Sequence, residues 1–281
     1  MNKKVQSALL SRNSVELNPV PILNYHSISS GGTNSFVKFT LHPETFAQHM
    51  KYILDQGYTP ITVNDYAQLV RSSSPLPDKP VILTFDDGFS DFYNYAFPIL
   101  QEFRFPATIY VVTDYIEGTS NWLKPVGEED RRMLTWSQLF EVQRAGIECG
   151  THSATHIHLD TAKPEIAHQE ISRSKDTLEQ KLGSSVHSMA YPYGHYTRTV
   201  CQMVIEAGYH AACAVRNAMS HTNDNLFSLA RITISRDTDV ARLHAILAGK
   251  GFSLAPQQEY LWVTGWRQIR RVLQMFSQTS Q

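Results

Sequence analysis

The sequence predicts an α/β fold, a closed or distorted (β/α) barrel of seven or eight units. Short apolar runs of strand length alternate with longer segments of helical period along the 281-residue chain, which indicates successive βα units. The runs are almost continuously apolar, as strands covered on both faces should be. The number of units favours a barrel, with an open parallel sheet as the alternative that alternation alone does not exclude.

Eight apolar runs are the strand candidates. Each has the length typical of a buried strand, and no internal repeat relates one to another. They are Val20 to Tyr25, Tyr58 to Thr62, Val81 to Phe85, Ala107 to Val112, Ile147 to Thr151, Val186 to Tyr191, His210 to Val215 and Ser228 to Ile234.

Helix signals lie between these runs. Apolar residues at helical spacing from Phe46 to Leu54, with Gly57 at the C-cap, predict the first helix. Thr135 and Gln138 form a capping-box pattern before a second. Further helices are predicted from Pro164 to Gly183, from Thr197 to Gly208 and from Val240 to Ala248.

The whole chain, residues 1–281, is predicted to be one domain with its core at about 20–248 and a helical extension at 256–281. Within that extension, Trp266 to Phe276 has one apolar face and predicts a docked terminal helix more than a membrane-surface or partner helix. The long segment Gly118 to Asp130 follows a strand and is predicted to be a loop, of the kind that often covers an active site.

Composition excludes several classes of partner. The formal net charge of −1 and the 18% of charged residues give no indication of nucleic-acid binding, so a neutral substrate is expected. The three cysteines, Cys149, Cys201 and Cys213, have no paired spacing and are predicted to be buried free thiols.

Targeting signals are weak. No run approaches the roughly 20 apolar residues of a membrane-spanning helix, and the segment from Lys3 to Leu10 lacks the features of a signal peptide. We therefore expect a cytoplasmic protein without an integral membrane segment, with peripheral membrane association of the C-terminal segment as an alternative. The sequence leaves the oligomeric state open.

The strongest chemical signal is an aspartate pair at a predicted strand end. Asp86 and Asp87, followed by Gly88, come directly after the apolar run that ends at Phe85. Two adjacent carboxylates at the end of a buried strand are costly unless a cation or hydrogen bonds stabilise them. Alone, the pattern is more typical of a solvated turn.

A histidine pair changes that interpretation. His152 and His156 follow the predicted strand that ends at Thr151, and in a helical turn their spacing puts both rings on one face. Two histidines and one carboxylate leave coordination positions for water and substrate, as a catalytic metal site requires. We therefore predict one divalent ion, bound by His152, His156 and one carboxylate of the aspartate pair.

Two further motifs end predicted strands. The turn from Tyr191 to Gly194 can aim backbone N–H groups at one point, as an oxyanion site requires, although an ordinary turn is an equally simple interpretation. His26 follows the first strand. In barrels and open α/β sheets, catalytic groups lie at the C-terminal ends of strands, so four motifs are predicted to converge at that end.

Together these motifs resemble the polysaccharide deacetylase family, also called NodB-like. Thr84 to Gly88, His152 to His156 and Pro192 to Gly194 are similar to its first three motifs, in the family's order, and the similarity spans roughly Val20 to Ile234. The resemblance implies a metal-dependent hydrolase that removes N-acetyl groups from a sugar or polysaccharide. Its site would lie at the C-terminal ends of the barrel strands.

The same resemblance implies individual roles. Asp86 is expected to be the general base, and Asp87 is expected to join His152 and His156 in binding one divalent metal ion, by preference zinc. His26 is expected to be the general acid, because an acid histidine before the aspartate pair is similar to the arrangement in poly-N-acetylglucosamine deacetylases of biofilm systems. The backbone N–H of Tyr193 is expected to stabilise the oxyanion. The residues expected to contact substrate are Tyr191, Pro192 and His195.

The sequence departs from the family at two positions. The family arginine that orients the catalytic aspartate is Ala190 here, so another group must hold Asp86. The late Leu-x-His motif is not evident, since His244 lies within a predicted helix.

Three alternatives share parts of this pattern. The same chemistry serves another acyl group, such as an O-acetyl ester or a small non-peptide amide. Non-haem iron oxygenases also use two histidines and a carboxylate, but with a different motif order and an all-β fold. A non-catalytic carbohydrate-binding relative is expected to lack the base or the ligands, and all four residues are present here.

Overall fold

A computed structural model describes residues 19–33 and 35–254 of the chain. Among these residues, eight strands form one parallel sheet. The strands are β1 (Ile22–Tyr25), β2 (Thr59–Ile61), β3 (Pro80–Phe85), β4 (Thr108–Val111), β5 (Glu148–Thr151), β6 (Ser188–Ala190), β7 (Ala211–Cys213) and β8 (Ile232–Thr233). Each lies within, or overlaps, one of the eight predicted runs.

The sheet is curled, and its two edges nearly meet. The strand order is β7-β6-β5-β4-β3-β1-β8, with β2 paired to the first half of β3. A single parallel bridge between Cys213 of β7 and Leu229, three residues before β8, connects the two edges. The predicted distorted (β/α) barrel is confirmed.

Seven α-helices belong to the described residues. They are α1 (Pro43–Asp55), α2 (Val63–Arg71), α3 (Phe97–Phe103), α4 (Trp136–Arg144), α5 (Pro164–Leu182), α6 (Arg198–Glu206) and α7 (Val240–Leu247). Five were predicted, and the capping box of Thr135 and Gln138 is present. Helix α2 was not predicted, although Thr62 and Asp65 form a capping box. The seven-residue α3 was not predicted either, because Pro98 and a preceding π-turn obscure its signal.

Side chains of the strands alternate between two apolar layers. Leu83 and Phe85 belong to the large cluster shared with the helices, whereas Ile82 and Tyr110 belong to a smaller cluster inside the curl. Gly150 is required there because a Cβ atom at that position would lie 2.6 Å from the Tyr110 ring. A large aromatic ring therefore fills the interior beneath the strand ends.

The remaining predictions about organisation have mixed outcomes. The three cysteines are free and buried, as predicted. The predicted helix from Trp266 to Phe276, the extension at 256–281 and the segment from Lys3 to Leu10 lie outside the described residues. Within residues 19–33 and 35–254, no helix has both the length and the apolar character needed to cross a membrane.

Candidate active site

Four side chains of the predicted site converge at the C-terminal end of the sheet. Asp86 and Asp87 follow β3, and His152 and His156 follow β5. Parallel strands deliver both motifs to the same edge. All four residues are buried, with between 2% and 6% of their surface exposed. Burying this many ionisable groups together is costly unless each has a partner of opposite charge or a hydrogen bond.

Left-handed backbone conformations bring these groups together. Asp87 has a φ of 75° and is followed by Gly88 with a φ of 82°. The segment from His152 to His156 is not the helical turn considered above, because Ser153 and His156 have φ values of 61° and 62°. Instead, the backbone N–H of His156 donates to Ser153 Oγ at 2.9 Å. A tight non-helical loop therefore presents both rings to one point.

The geometry fits a metal ion. One donor atom from each of Asp87, His152 and His156 lies within 4.8 Å of the other two. The Nε2 atoms of His152 and His156 are 3.7 Å and 3.3 Å from Asp87 Oδ1. His152 Nδ1 donates to the carbonyl oxygen of Ala190 at 2.8 Å, which leaves the lone pair of Nε2 facing the cluster.

Protonation states also fit cation binding. Burial lowers the pKa of His152 to about 4, so the ring is neutral near pH 7 and can act as a ligand. Burial alone would raise the pKa of Asp87, but the hydrogen bond and charge of His156 lower it below its ordinary value. Asp87 is therefore an ionised carboxylate and His152 is a neutral imidazole with a free lone pair. These are the protonation states in which the two side chains can bind a divalent ion.

Arg231 is the group that holds Asp86. Its guanidinium is fully buried and donates two parallel hydrogen bonds to the carboxylate, at 2.6 Å to Oδ1 and 2.7 Å to Oδ2. Burial would raise the pKa of Asp86, but Arg231 more than offsets this and holds the pKa well below its usual range. The arginine expected at Ala190 is thus replaced by an arginine that precedes β8.

The role of Arg231 was not predicted, because Arg231 lies 145 positions after Asp86 in the chain. Its position did carry a signal. It lies inside the apolar run Ser228 to Ile234, and a charged residue in a buried strand is rarely left without a partner. Only the topology, which places β8 beside β1 and β1 beside β3, identifies that partner as Asp86.

The two candidate acids lie in different places. His26 lies close enough to Asp86 and Asp87 for its charge to lower the pKa of both, and its ring packs on Phe39 at 4.9 Å between centroids. His244 is exposed on α7, where Nδ1 contacts Tyr52 Oη at 2.5 Å. The catalytic role of His26 stays a prediction.

The turn after β6 borders the same site. Tyr193 has a φ of 60°, is 44% exposed, and its ring meets the His156 ring edge-on at 4.7 Å. Tyr191 and Pro192 are buried, and Tyr191 Oη donates to the carbonyl oxygen of Phe227 at 2.9 Å. His195 is half-buried beyond the turn. The roles assigned to these four residues in oxyanion and substrate binding stay predictions.

Two aromatic neighbours were missed. His158 stacks on the Tyr193 ring, with centroids 3.7 Å apart and planes 13° apart. Trp122 stacks on His156 at 5.1 Å. Trp122 lies within the loop Gly118 to Asp130, so the prediction of a loop of the kind that often covers an active site indicated the region, although no pattern singled out the residue.

Comparison with known proteins agrees with this geometry. The polysaccharide deacetylase family model matches residues 73–212, which include the aspartate pair, both histidines and the Pro192 to Gly194 turn. The chain contains a polysaccharide deacetylase domain. The matched segment contains the ends of both strands that carry these four side chains, and Arg231 lies outside it.

Two sequence relatives illustrate the likeness. YxkH of Bacillus subtilis (strain 168) is 27% identical over 216 residues, covering 77% of this chain and 71% of YxkH. The poly-beta-1,6-N-acetyl-D-glucosamine N-deacetylase of Escherichia coli (strain K12) is 24% identical over 221 residues, covering 68% of this chain. The matched region is 33% of the E. coli enzyme, so this chain spans about a third of that relative's length.

A solved structure shows the same fold. The Streptococcus pyogenes deacetylase PplD, determined in complex with acetate, superposes with a TM-score of 0.72 at 27% identity. The match covers 82% of this chain and 99% of PplD. The curled parallel sheet is therefore the architecture of a deacetylase domain.

Proposed function

We propose that this protein is a metal-dependent hydrolase that removes N-acetyl groups from an N-acetylated amino-sugar polymer. The observation that carries the proposal is the pairing of two adjacent aspartates with different partners: Asp87 faces His152 and His156, whereas Arg231 holds Asp86. A β-1,6-linked N-acetylglucosamine polymer is the first substrate to test, because the E. coli relative carries that activity in its name.

Asp87, His152 and His156 would hold the ion. Nitrogen and carboxylate donors in this number suit zinc or a similar divalent metal and leave coordination positions open. When bound, the metal would polarise the acetamide carbonyl and lower the pKa of a coordinated water. The hydrogen bond from His152 Nδ1 to Ala190 fixes the ring orientation that this requires.

Asp86 would be the general base. Arg231 keeps the carboxylate ionised and fixes its plane, while Oδ2 lies 3.9 Å from His152 Nε2 and so borders the metal group. A carboxylate in that position accepts a proton from the attacking water as the C–O bond forms. Asp86 then retains that proton until the tetrahedral intermediate breaks down and afterwards releases it to solvent, which restores the carboxylate.

The remaining steps require a hydrogen-bond donor and an acid. The backbone N–H of Tyr193, held in its left-handed turn, would donate to the oxyanion. His26 would protonate the departing nitrogen as the C–N bond breaks. The products are acetate and a free amino group on the sugar.

An O-acetyl ester is the alternative substrate, since the same groups serve both reactions. Acetate release should be compared on matched N-acetylated and O-acetylated oligosaccharides with zinc, cobalt and no metal. We expect metal-dependent release from the amide. Release from the ester alone would replace the N-deacetylase assignment with an esterase, and release from neither substrate would refute both.

Metal content tests the ligands separately. His152→Ala and His156→Ala should each lower the bound metal per chain, whereas His244→Ala on the outer helix should not. Full metal occupancy in both site variants would contradict the ligand assignment whatever the activity.

A further inference from the structure

Arg131 lies in the long loop between β4 and α4 and is not part of the site described above. Its guanidinium lies against the rings of Phe36 and Phe89, with Cζ 4.8 Å and 4.9 Å from their centroids, and the two rings meet edge to face at 5.7 Å. The side chain is only 14% exposed. Contact with aromatic rings is favourable for a guanidinium.

The same guanidinium binds two carboxylates. Nη2 is 2.9 Å from Asp91 Oδ2, and Nη1 is 2.9 Å from Glu128 Oε2. Nη2 also donates to Ser27 Oγ, which in turn donates to Asp91 Oδ2 at 2.5 Å. Both acids are largely buried, so removing the arginine would leave two carboxylates without their cation.

The segments joined in this way each carry part of the candidate site. Ser27 follows His26 directly, and Phe89 lies two residues beyond Asp87. The loop of Arg131 itself carries Trp122, which stacks on the ligand His156.

Among the described residues, backbone-to-backbone hydrogen bonds join the Arg131 loop to only one of these two segments, the one that follows the aspartate pair. Leu134 N donates to Gly88 O and Ser90 N donates to Arg132 O, both at 2.9 Å, so the loop is tied by its backbone to the segment after the aspartate pair. The contact with Ser27 depends on side chains, with Arg131 and Asp91 at its centre.

We infer that Arg131 is a positioning residue that holds His26 at a fixed distance from the metal group and keeps Trp122 against His156. This rests on the proposed function, since it assigns the arginine a role in that same reaction. Arg131 joins Ser27 and Asp91 to Glu128, while Thr33 adds hydrogen bonds to Glu128 Oε1 and to the carbonyl oxygen of Val126. Loss of the arginine should loosen both loops while the parallel sheet stays folded.

The test compares Arg131→Met and Arg131→Lys with Arg144→Met, a control that removes an exposed guanidinium lying over the Phe140 ring at 5.8 Å. Hydrogen exchange should rise at least about tenfold in residues 27–41 and 118–134 of Arg131→Met but not in α5, where local opening is independent.

The kcat/KM for N-acetyl hydrolysis should fall by about ten- to a hundredfold with metal content unchanged. Arg131→Lys should lie between, because it keeps the charge without the fork. Arg144→Met should match the wild type.

Faster exchange throughout the chain, or faster exchange in the two loops with unchanged kcat/KM, would overturn the inference. The exchange measurement does not depend on substrate. A wild-type protein that releases acetate from no substrate would therefore refute the proposed function, while unchanged exchange in Arg131→Met would refute the connection between the loops.

Discussion

Each end of the curled sheet contains a carboxylate inside the curl, and the two carboxylates have different hydrogen-bond partners. At the C-terminal end, Asp86 is bound on both oxygens by Arg231. At the N-terminal end, Glu148 accepts hydrogen bonds from Ser188 Oγ at 2.6 Å, Thr108 Oγ1 at 2.8 Å and Asn64 N at 3.0 Å. Among the described residues, no lysine or arginine forms an ion pair with Glu148.

The difference in partners produces opposite pKa shifts. Burial raises the pKa of Glu148, and its three neutral donors lower it too little to reverse the shift. Burial acts on Asp86 in the same direction, but the guanidinium reverses it. Of these two carboxylates, the one that faces a guanidinium therefore has the lowered pKa and the one that faces neutral donors has the raised pKa. Asp86 therefore lies in the candidate active site as a carboxylate, whereas Glu148 joins neighbouring strands through its hydrogen bonds to Thr108 and Ser188.

The largest expected effect comes from removing the charge at the C-terminal end. Asp86→Asn should lower kcat toward the upper end of the hundred- to ten-thousandfold range of a general base, with metal still bound. Glu148→Gln is the matched change at the other end and should leave kcat/KM within about twofold of the wild type. Loss of metal along with activity in Asp86→Asn would make Asp86 a ligand and remove the division of roles.

The second-largest effect on activity is expected at His26, the proposed general acid. His26→Ala should slow amide hydrolysis by several hundredfold, within the range for general acid catalysis, but slow an activated ester much less because a good leaving group needs little protonation. His244→Ala, on the outer face of α7, should stay within about twofold. Equal losses on both substrates for His26→Ala, or a larger loss on the amide for His244→Ala, would contradict the assignment.

Removing Arg231 and restoring an arginine at position 190 tests the ion pair of Asp86 directly. Arg231→Ala should lower kcat/KM by about a hundredfold, because the base loses its fixed orientation, and should destabilise the protein by leaving a buried carboxylate unpaired. Ala190 pairs in register with Cys213 and shares its interior cluster with Tyr110, whose ring lies 5.6 Å below Arg231 Cζ. Adding Ala190→Arg should therefore recover at least about tenfold of the loss. If the melting temperature is restored but kcat/KM is not, an arginine at position 190 cannot replace one at position 231 in orienting Asp86.

These contrasts also show what the sequence can and cannot predict. Strands and most helices were predictable because their signals are local, as in the apolar run before Asp86 or the capping box at Thr135. The contacts of Arg231 and Arg131 were not, because each joins segments far apart in the chain. The conformation of His152 to His156 was also beyond local reasoning, since a spacing of four suits both a helical turn and the left-handed loop that is present.

The smallest expected effect lies at the N-terminal end and is visible in stability alone. The folded-state pKa of Glu148 is raised above its unfolded value of about 4.3, so the folded protein binds this proton more tightly than the unfolded chain does. The associated stability is fully present below that unfolded pKa and is lost as pH rises through the folded pKa. Glu148→Gln keeps an acceptor for Thr108 and a group that can donate to Ser188 without the ionisation. Its melting temperature relative to the wild type should therefore rise across this pH window. The change should correspond to no more than about 1 kcal/mol, the size of one hydrogen bond. A wild type that instead gains stability over the variant as pH rises would mean that Glu148 is held as a carboxylate, and the contrast between the two ends of the sheet would fail.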